Sequence, residues 1–499
     1  MEEFDVVVVG GGPGGATVAT LVSMHGHRTL LLEKEHFPRY QIGESLLPST
    51  VHGICRLTGA WDLVKDAGFT KKRGGTFRWG SNPEPWTFSF SVSPKMAGQT
   101  SFAFQVERMK FDHILLENAE RKGVMVRQGC SVTDVLFEGE RASRVKYVDD
   151  DGAIHQVAAK FVVDASGNGS RIYGNLGERR YSEFFRNLAL FGYFENGKRL
   201  PEPNSGNILS VAFDSGWFWY IPLSPTLTSI GAVVNRELAD KVQGDPEKAL
   251  SNLIEECPLI AEYLSSAQRV TSGPYGRLRV RKDYSYHNTK FWRPGMVLVG
   301  DAACFVDPVF SSGVHLATYS ALLAARSINS VLTDGMDETT AFTEFERRYR
   351  REYGLFYEFL ISFYDMHRSE ESYFWKAKKI TANELPELES FVELVGGVAT
   401  KERMASGSLE VVQRVTDGSA EFTHALEKVV GNEEGGMLPL LKSSMAGQAL
   451  RESSEIQAQA LYGVDTENEL PLFADGLVAS PDGMSWSSYG AEVPEGSAT

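Results

Sequence analysis

A glycine-rich run near the start of the chain has the residue types and spacing needed to hold a phosphate. Gly10, Gly12 and Gly15 match the pattern G-x-G-x-x-G directly after the apolar run Asp5–Val9. Glycines let a backbone approach a pyrophosphate closely, and the N-terminus of a following helix favours its negative charge. Glu33 ends a second apolar run, where an acidic side chain can bind a ribose hydroxyl. This context predicts a dinucleotide site, which a lone glycine motif would not.

Two later segments favour FAD over a nicotinamide dinucleotide. Gly300-Asp301 follows one strand-like run and Asp164 closes another, and both resemble accessory motifs of the glutathione-reductase-type FAD fold. Arg108, followed by Phe111-Asp112, resembles the arginine motif of flavin monooxygenases. The sequence has no second glycine motif of this kind in a strand–helix–strand setting. We therefore expect no nicotinamide domain, so that reduced flavin must be supplied from outside.

A tryptophan pair could shield the flavin from other molecules. Trp217 and Trp219 lie on one face of a predicted strand and are followed by Ile221 and Pro222. Such a pair ordinarily packs a core. Beside a flavin, bulky indoles would instead keep an organic substrate away from the ring, whereas a monooxygenase needs an open path to it.

The segment Phe305–Val314 could bind an anion. It follows Asp301 and contains Pro308 and the turn Ser311-Ser312-Gly313 before a predicted helix. Free backbone N–H groups at a glycine-containing helix start are suited to an anion. The turn could also be a capped helix start beside the flavin ring, and the two interpretations are compatible.

A lysine pair lies in a second glycine-rich segment, Gly68–Gly80. Lys71 and Lys72 precede Gly74-Gly75-Thr76-Phe77, and a lysine pair is normally a solvated face. An amine can also donate a hydrogen bond and, when burial lowers its pKa, act as a nucleophile. The segment is therefore a candidate for catalysis.

Together these segments resemble the flavin-dependent halogenases of natural-product biosynthesis. The matching patterns are K-x-G-[GA]-T-F, W-x-W-x-I-P and F-x-x-P-x-x-S-x-G, with Phe37–Pro48 as a fourth, and the match spans about residues 4–380. The resemblance is to the chondrochloren type of these enzymes and, more distantly, to the chloramphenicol type. It implies that Lys72 is the catalytic lysine and Lys71 its exposed neighbour.

The resemblance implies a chlorinating enzyme of secondary metabolism. Reduced FAD, O2 and chloride would yield hypochlorous acid at the flavin, with chloride held at Ser311, Ser312 and Gly313. Lys72 would relay the acid to an aromatic, phenolic or tyrosyl-like substrate tethered to a carrier protein. A separate NAD(P)H-dependent flavin reductase would be a second partner. The alternatives are a flavin-dependent aromatic monooxygenase of the same fold and a catalytically silent FAD-fold binding protein.

The expected FAD ligands lie in the glycine turn, at the end of the second strand, in the segment 39–45 and in the later motifs. They are Gly10, Gly12, Pro13, Gly14, Gly15, Ala16, Glu33, Lys34, Arg39, Gly43, Glu44, Ser45, Arg108, Asp164, Gly300, Asp301, Pro308, Gly313 and Val314. Asp283 matches a position that carries FAD covalently in the chloramphenicol type. Other members with this residue hold FAD non-covalently, so a covalent link is the less favoured alternative. We expect no metal.

The elements that position these residues indicate an α/β (α+β) fold. Strands at Asp5–Val9 and Thr29–Leu32 flank a helix at Ala16–Met24, a β-meander follows at 132–163, and aromatic-rich strands at 188–234 predict an antiparallel sheet. We expect a glutathione-reductase-type FAD-binding domain, an antiparallel-sheet substrate domain, a helical C-terminal region and a loosely ordered Gly/Ser-rich acidic tail. Their ranges are 1–75, 105–180 and 285–335 for the first, 76–104 and 181–284 for the second, 336–430 for the third and 431–499 for the tail.

Composition excludes several other classes. A net charge of −15 gives no basic footprint for nucleic acid, and no apolar run reaches the roughly 18 residues of a membrane span. With no signal peptide and no metal spacing among the cysteines, we expect reduced thiols and a cytoplasmic protein. These cysteines are Cys55, Cys130, Cys257 and Cys304.

Carrier docking would favour a basic surface, because carrier proteins are usually acidic. Two clusters are candidates, although exposed helix charges are the ordinary interpretation of such residues. They are Arg347, Arg348, Arg350 and Arg351, and Lys376, Lys378 and Lys379.

Overall fold

The computed structural model describes residues 1–79, 84–92, 101–282, 284–365, 471–473 and 475–488. Within these ranges the strands form two sheets of eight strands each and three small sheets. Asp283, Lys376, Lys378 and Lys379 lie outside the described residues, as do most of the regions 336–430 and 431–499.

The first large sheet is built around buried parallel strands. Glu2–Val9 pairs in parallel with Thr29–Leu32 on one side and with Ile154–Asp164 on the other. Helix Pro13–Met24 makes the crossover between the first two strands. Continuous apolar runs such as Val6–Val9 fit strands that helices or loops cover on both faces. The predicted strand–helix–strand start is confirmed. The sheet also contains Met125–Arg127, Ser131–Glu138, Arg141–Val148, Trp292–Arg293 and Met296–Leu298.

The predicted meander forms the outer part of this sheet. Ser131–Glu138 pairs antiparallel with Arg141–Val148, which pairs antiparallel with Ile154–Asp164. The last of these strands is long enough to belong to both the meander and the parallel core. Its carboxyl end therefore places Asp164 beside the glycine turn.

The second large sheet is mixed: the strands predicted at 188–234 pair antiparallel with one another, as expected, and one further strand joins them in parallel. Ile208–Phe213 pairs in parallel with Gly74–Arg78, while its other neighbour, Gly216–Pro222, is antiparallel. Parallel strands need a long crossover, and more than a hundred residues separate the two parallel strands in the chain. The expected boundary between residues 75 and 76 falls inside Gly74–Arg78. The sheet also contains Trp86–Ser89, Asn187–Glu195, Leu227–Asn235, Gln268–Arg269 and Arg279–Lys282.

Strand Gly216–Pro222 separates two hydrophobic cores. Trp217, Trp219 and Ile221 pack into the large core that the FAD-type sheet shares. Phe218 and Tyr220 pack on the opposite face, against helices Pro246–Glu255 and Pro258–Tyr263. Side chains alternate between the faces of a strand, so the tryptophan pair necessarily faces one side.

The smaller elements complete the layers. The strand pairs are Thr70–Lys72 with Ala103–Gln105, and Arg179–Tyr181 with Tyr286–Asn288, which also pairs with Cys304–Phe305. The remaining helices are the π-helix Ser49–Ile54 and the α-helices Cys55–Leu57, Trp61–Lys65 and Arg108–Arg121. Short 3-10 turns are at Phe90–Val92, Gly167–Gly169, Tyr173–Asn175, Arg236–Val242, Gly273–Tyr275, Gly300–Ala302 and Pro308–Phe310.

Two long helices, Ser312–Thr333 and Glu338–Asp365, pack against each other. The first also packs against helix Pro13–Met24, and Phe342 of the second contacts Phe161 and Trp292 of the FAD-type sheet. The aromatic repeat predicted at three- and four-residue steps is buried, as core packing requires. Its buried members are Phe342, Phe345, Tyr349, Phe356 and Phe363. Among the described residues, no helix is long and apolar enough to span a membrane.

Part of the expected loosely ordered tail is packed. Leu477–Ala479 and Trp486–Ser488 form an antiparallel hairpin against the two long helices. Trp486 is 2% exposed, lies between the guanidinium groups of Arg326 and Arg348, and donates a hydrogen bond from Nε1 to Ser327 Oγ. The tryptophan supplies enough buried surface to hold an otherwise polar segment.

The arginines of the second long helix differ in exposure: Arg348 is buried and not available for the expected docking, whereas the side chains of Arg347 and Arg350 are 37% and 35% exposed. Arg348 is 6% exposed, pairs with Glu344 and donates to the carbonyl of Leu477. Arg350 donates to Glu346 and to the carbonyl oxygens of Asn288 and Thr289. Arg347 pairs with Asp475 of the tail. These arginines therefore stabilise the packing of the helix against the neighbouring strand and the tail.

The hairpin should contribute measurably to stability. We expect Trp486→Ala to lower the free energy of unfolding by about 3–5 kcal/mol, because it removes a large buried ring. Urea denaturation followed by circular dichroism would measure this. Ser488→Ala, at an exposed position of the same strand, is the control. Equal stability of the two variants would show that the hairpin is not anchored by Trp486.

Candidate active site

The glycine turn is shaped by backbone packing. Gly10 has φ +103°, and a Cβ there would lie 2.6 Å from the carbonyl oxygen of Ala165. A Cβ on Gly15 would lie 1.9 Å from the Gly10 carbonyl oxygen. Gly11 N donates to Glu33 Oε2 at 2.6 Å, so the acidic residue holds the turn. The turn therefore needs glycine, and it presents the start of helix Pro13–Met24, which suits a pyrophosphate.

Two arginines beside this turn share one carboxylate. Arg108 donates from Nε to Asp112 Oδ1 at 2.7 Å and from Nη2 to Oδ2 at 2.9 Å. Arg39 donates to the same Oδ2 at 2.7 Å. Burial alone would lower the pKa of Arg108, but Asp112 raises it above its ordinary value. Asp112 thus fixes both cations near the predicted FAD site, a function that the sequence pattern did not assign to it.

The two aspartates of the accessory motifs differ in their surroundings. Asp164 is fully buried, and its two oxygens accept hydrogen bonds from Ser166 and Ser170, so it stabilises its own turn. Asp301 keeps partial exposure, and burial raises its pKa to about 6, against the opposing effect of nearby arginines. Asp301 is therefore the better candidate for direct contact with a cofactor.

In the segment Gly43–Ser45 the side chains of Glu44 and Ser45 are buried, whereas Gly43 is exposed. Glu44 accepts a hydrogen bond from Tyr193 at 2.7 Å, and burial raises its pKa to about 7. Ser45 Oγ is buried without a hydrogen-bond partner among the described residues. Gly43 has φ +103° and lies against Arg108. Lys34 by contrast is exposed and forms an ion pair with the neighbouring Glu35. Gly43–Ser45 and Arg108 thus cluster, and Lys34 does not join them.

The tryptophan pair is held by hydrogen bonds as well as packing. Trp217 Nε1 donates to the Tyr364 hydroxyl at 2.7 Å, and Trp219 Nε1 donates to Ser229 Oγ at 3.2 Å. The Trp219 ring lies where a side chain at Gly231 would be, 2.1 Å from its Cβ position. Both indoles are therefore fixed in orientation.

The predicted anion turn contains a strained residue. Ser311 adopts φ +63°, a left-handed conformation that is uncommon outside glycine and often occurs at functional sites. It precedes helix Ser312–Thr333, so the first N–H groups of the helix are unbonded within it. Ser312 Oγ is buried and has no hydrogen-bond partner among the described residues. Phe305 lies against Gly313, 2.8 Å from the position of an added Cβ. A small anion fits the requirements of these donors.

Lys72 is brought to this turn from a distant part of the sequence. It is 1% exposed, whereas Lys71 is exposed, as alternation along strand Thr70–Lys72 requires. Its Nζ donates to the Leu46 carbonyl at 3.1 Å and to Ser311 Oγ at 3.4 Å. Burial lowers its pKa from the ordinary 10.5 to about 7. With this pKa both the protonated and the neutral amine are present near pH 7, and the neutral amine can act as a nucleophile.

The structure thus brings together Lys72, Ser311 and the start of the second long helix. The sequence patterns missed three residues around this cluster: Tyr364, which holds Trp217, and the buried pair His315 and Glu352. Their types gave no distinguishing signal, because each lies in an ordinary helical repeat. Pro308 and Val314 flank the turn as expected.

The fold and the site define an FAD-fold enzyme with a fixed tryptophan pair, a left-handed serine at a helix start and a buried lysine. The family model described as tryptophan halogenase matches residues 5–97 and 91–415. The myxobacterial chondrochloren halogenase CndH, an FAD-dependent halogenase of solved structure, is 53% identical with a TM-score of 0.77, over 98% of this chain and all of that chain.

Two curated relatives agree with this match. A tryptophan 2-halogenase from Chondromyces crocatus is 36% identical over 385 residues, 76% of this chain and 71% of its own length. A 1H-pyrrole-2-carbonyl-[peptidyl-carrier protein] chlorinase from Pseudomonas fluorescens is 30% identical over 382 residues, 72% of this chain and 84% of its own length. The chain belongs to the tryptophan halogenase family of flavin-dependent halogenases. The predicted enzyme class and its use of FAD, O2 and a halide are confirmed.

Burial of Lys72 should reduce stability in a pH-dependent way. The folded protein binds the lysine proton less tightly than the unfolded chain, so stability rises with pH between about 7 and 10.5. Lys72→Met should therefore stabilise the protein at pH 7, by up to about 5 kcal/mol, and much less near pH 10. Urea denaturation of both proteins at the two pH values would measure this. If Lys72→Met stabilises the protein equally at both pH values, the pKa of Lys72 is not lowered by folding.

Proposed function

We propose that this enzyme chlorinates a phenolic, tyrosyl-like ring tethered to a carrier protein, using Lys72 to deliver the chlorine. The observation that carries the proposal is the buried Lys72 amine, which contacts the left-handed Ser311 at the anion turn. A lysine that only packs against its neighbours, or that lies in solvent, would not need to be both buried and in contact with Ser311.

FAD fits the residues that are present. The glycine turn would receive the pyrophosphate, Asp301 the ribityl chain, and Arg39 and Arg108 would supply positive charge nearby. Bound reduced FAD would supply the electrons with which O2 and chloride yield hypochlorous acid. Because we expect no nicotinamide domain, we propose that a separate NAD(P)H-dependent flavin reductase provides the reduced flavin.

Chloride would be held at Ser311, Ser312 and Gly313. The free N–H groups at the helix start and the unpartnered Ser312 hydroxyl can donate to it, and the helix dipole favours its charge. The Ser312 side chain is buried, and a hydrogen bond from it to chloride would be strengthened by the low local dielectric.

Lys72 would receive hypochlorous acid. As a protonated amine it donates a hydrogen bond to the acid. As a neutral amine it forms an N–Cl bond with loss of water, and the chlorine then passes to the ring while the ring proton leaves. The lowered pKa of Lys72 allows both forms near neutral pH. Trp217, Trp219, Ile221 and Pro222 would keep the organic ring from the flavin throughout.

The substrate proposal is supported by two relatives. The chondrochloren halogenase shares more than half of its residues with this chain, and the pyrrole-2-carbonyl chlorinase is named for a carrier-bound substrate. A comparison of free tyrosine with carrier-bound tyrosyl groups tests this part. Intact mass after incubation with a flavin reductase, FAD, NADH and chloride would reveal chlorine on the preferred form.

Replacement of Lys72 should separate the two halves of the reaction. We expect Lys72→Ala to reduce ring chlorination to background while flavin reoxidation continues, because the acid forms but is not delivered. Mass spectrometry of the product and a chemical trap for hypochlorous acid measure the two. Lys71→Ala, one residue away and exposed, should behave as the wild type. Chlorination by Lys72→Ala at the wild-type rate would disprove the assignment.

The anion turn makes a separate prediction. Ser312→Ala should raise the KM for chloride about tenfold, the effect of losing one hydrogen bond to an anion. Its affinity for FAD, followed by fluorescence titration, should be unchanged. An unchanged KM would place the halide elsewhere.

A further inference from the structure

A chain of hydrogen bonds joins three buried side chains close to the candidate active site. Ser49 Oγ lies 2.9 Å from His315 Nδ1, and His315 Nε2 lies 2.8 Å from Glu352 Oε1. Ser49 is 4% exposed, His315 3% and Glu352 1%. Polar groups buried this deeply are costly unless they are bonded, so the arrangement is strongly specified.

The imidazole has little freedom to move. Its ring stacks on Tyr319, with ring centroids 5.8 Å apart and planes within 14°, and it also contacts Phe356. Ser49 contacts the Nδ1 side of the ring and Glu352 the Nε2 side, so both ring nitrogens are held.

The chain connects the two segments that contact Lys72. Ser49 begins the π-helix that follows Leu46, whose carbonyl accepts one hydrogen bond from the lysine. His315 lies in the first turn of the helix that follows Ser311, whose hydroxyl accepts the other. Glu352 anchors the imidazole from the second long helix. The bond between Ser49 and His315 therefore joins the two segments that provide the acceptors.

We propose that His315, held by Glu352 and bonded to Ser49, is a positioning residue that sets the Leu46 carbonyl and the Ser311 hydroxyl at the spacing Lys72 needs. The lysine amine is thereby aimed at the anion turn. The interpretation of these three residues as a hydrolytic triad is disfavoured, because all are below 5% exposure and a substrate could not reach Ser49.

This inference rests on the proposed role of Lys72, and the experiment separates the two. The measured quantity is the coupling ratio, the chlorinated product formed per reduced flavin reoxidised, together with hypochlorous acid captured in solution. We expect Ser49→Ala to lower the ratio at least tenfold and to release the missing chlorine as trapped acid. His315→Gln, which removes the Nδ1 contact, should behave similarly.

Ser327→Ala is the matched control. It removes a buried, hydrogen-bonded hydroxyl from the helix that carries His315, about 18 Å further along the helix axis. A general loss of helix packing would lower stability in both variants, whereas only Ser49→Ala should change the coupling ratio. A ratio in Ser49→Ala within twofold of the control would overturn the proposal.

The outcome for Lys72→Ala identifies which proposal fails. If Lys72→Ala is uncoupled and Ser49→Ala is not, the positioning role is wrong and the lysine assignment stands. If Lys72→Ala keeps the wild-type ratio, the proposed function itself fails.

A second measurement does not depend on turnover. Lysines carrying 13C-methyl groups report their own pKa by NMR, and Lys72→Arg assigns the signal. In Ser49→Ala the pKa of Lys72 should rise from about 7 toward 10.5, because a displaced amine gains access to water. An unchanged pKa in Ser49→Ala would argue that the amine keeps its place without the hydrogen bond.

Discussion

The burial of one amine determines much of this structure. Lys72 donates hydrogen bonds to the carbonyl of Leu46 and to the hydroxyl of Ser311, and both acceptors are neutral. A carboxylate there would pair with the lysine and keep it protonated, whereas neutral acceptors leave desolvation to lower its pKa. The site therefore depends on two oxygens at fixed positions, one from the segment after Gly43 and one from a serine in a strained conformation. The cost of burying the lysine must be met by the rest of the fold.

The second large sheet separates the space around that amine from the opposite core. Strand Gly216–Pro222 places its indoles toward the large core and Phe218 and Tyr220 away from it. Because side chains alternate between the two faces of a strand, a single strand can place both indoles on one face and Phe218 and Tyr220 on the other. Strand Thr70–Lys72 and the turn Ser311–Gly313 lie on the same side of the sheet as the indoles.

Sequence patterns predicted the local parts of this design and missed its long-range contacts. The glycine turn, the meander and the tryptophan strand follow from spacing and alternation, and strand alternation also distinguishes Lys72 from Lys71 once the strand is known. The parallel pairing of Gly74–Arg78 could not be predicted, because hydrophobic periodicity carries no information on which distant strand is the neighbour. The burial of Arg348 could not be predicted because the hairpin that covers it lies more than a hundred residues later.

The tryptophan pair and the segment Phe305–Val314 are also joined by long-range buried polar contacts. Trp217 donates to Tyr364, and the Tyr364 hydroxyl in turn bonds to Asp307 of the anion segment. Asp307 also accepts from the Val309 N–H and from Asn187, so its buried carboxylate is satisfied from three elements. Burial nevertheless raises its pKa to about 6. A tryptophan held only by packing could tilt independently of the turn. One that is tied through Tyr364 to Asp307 can move only if a buried carboxylate loses a partner, which costs more than a neutral hydrogen bond. The tryptophan pair is therefore tied to the segment Phe305–Val314, which also contains Ser311, the contact of Lys72.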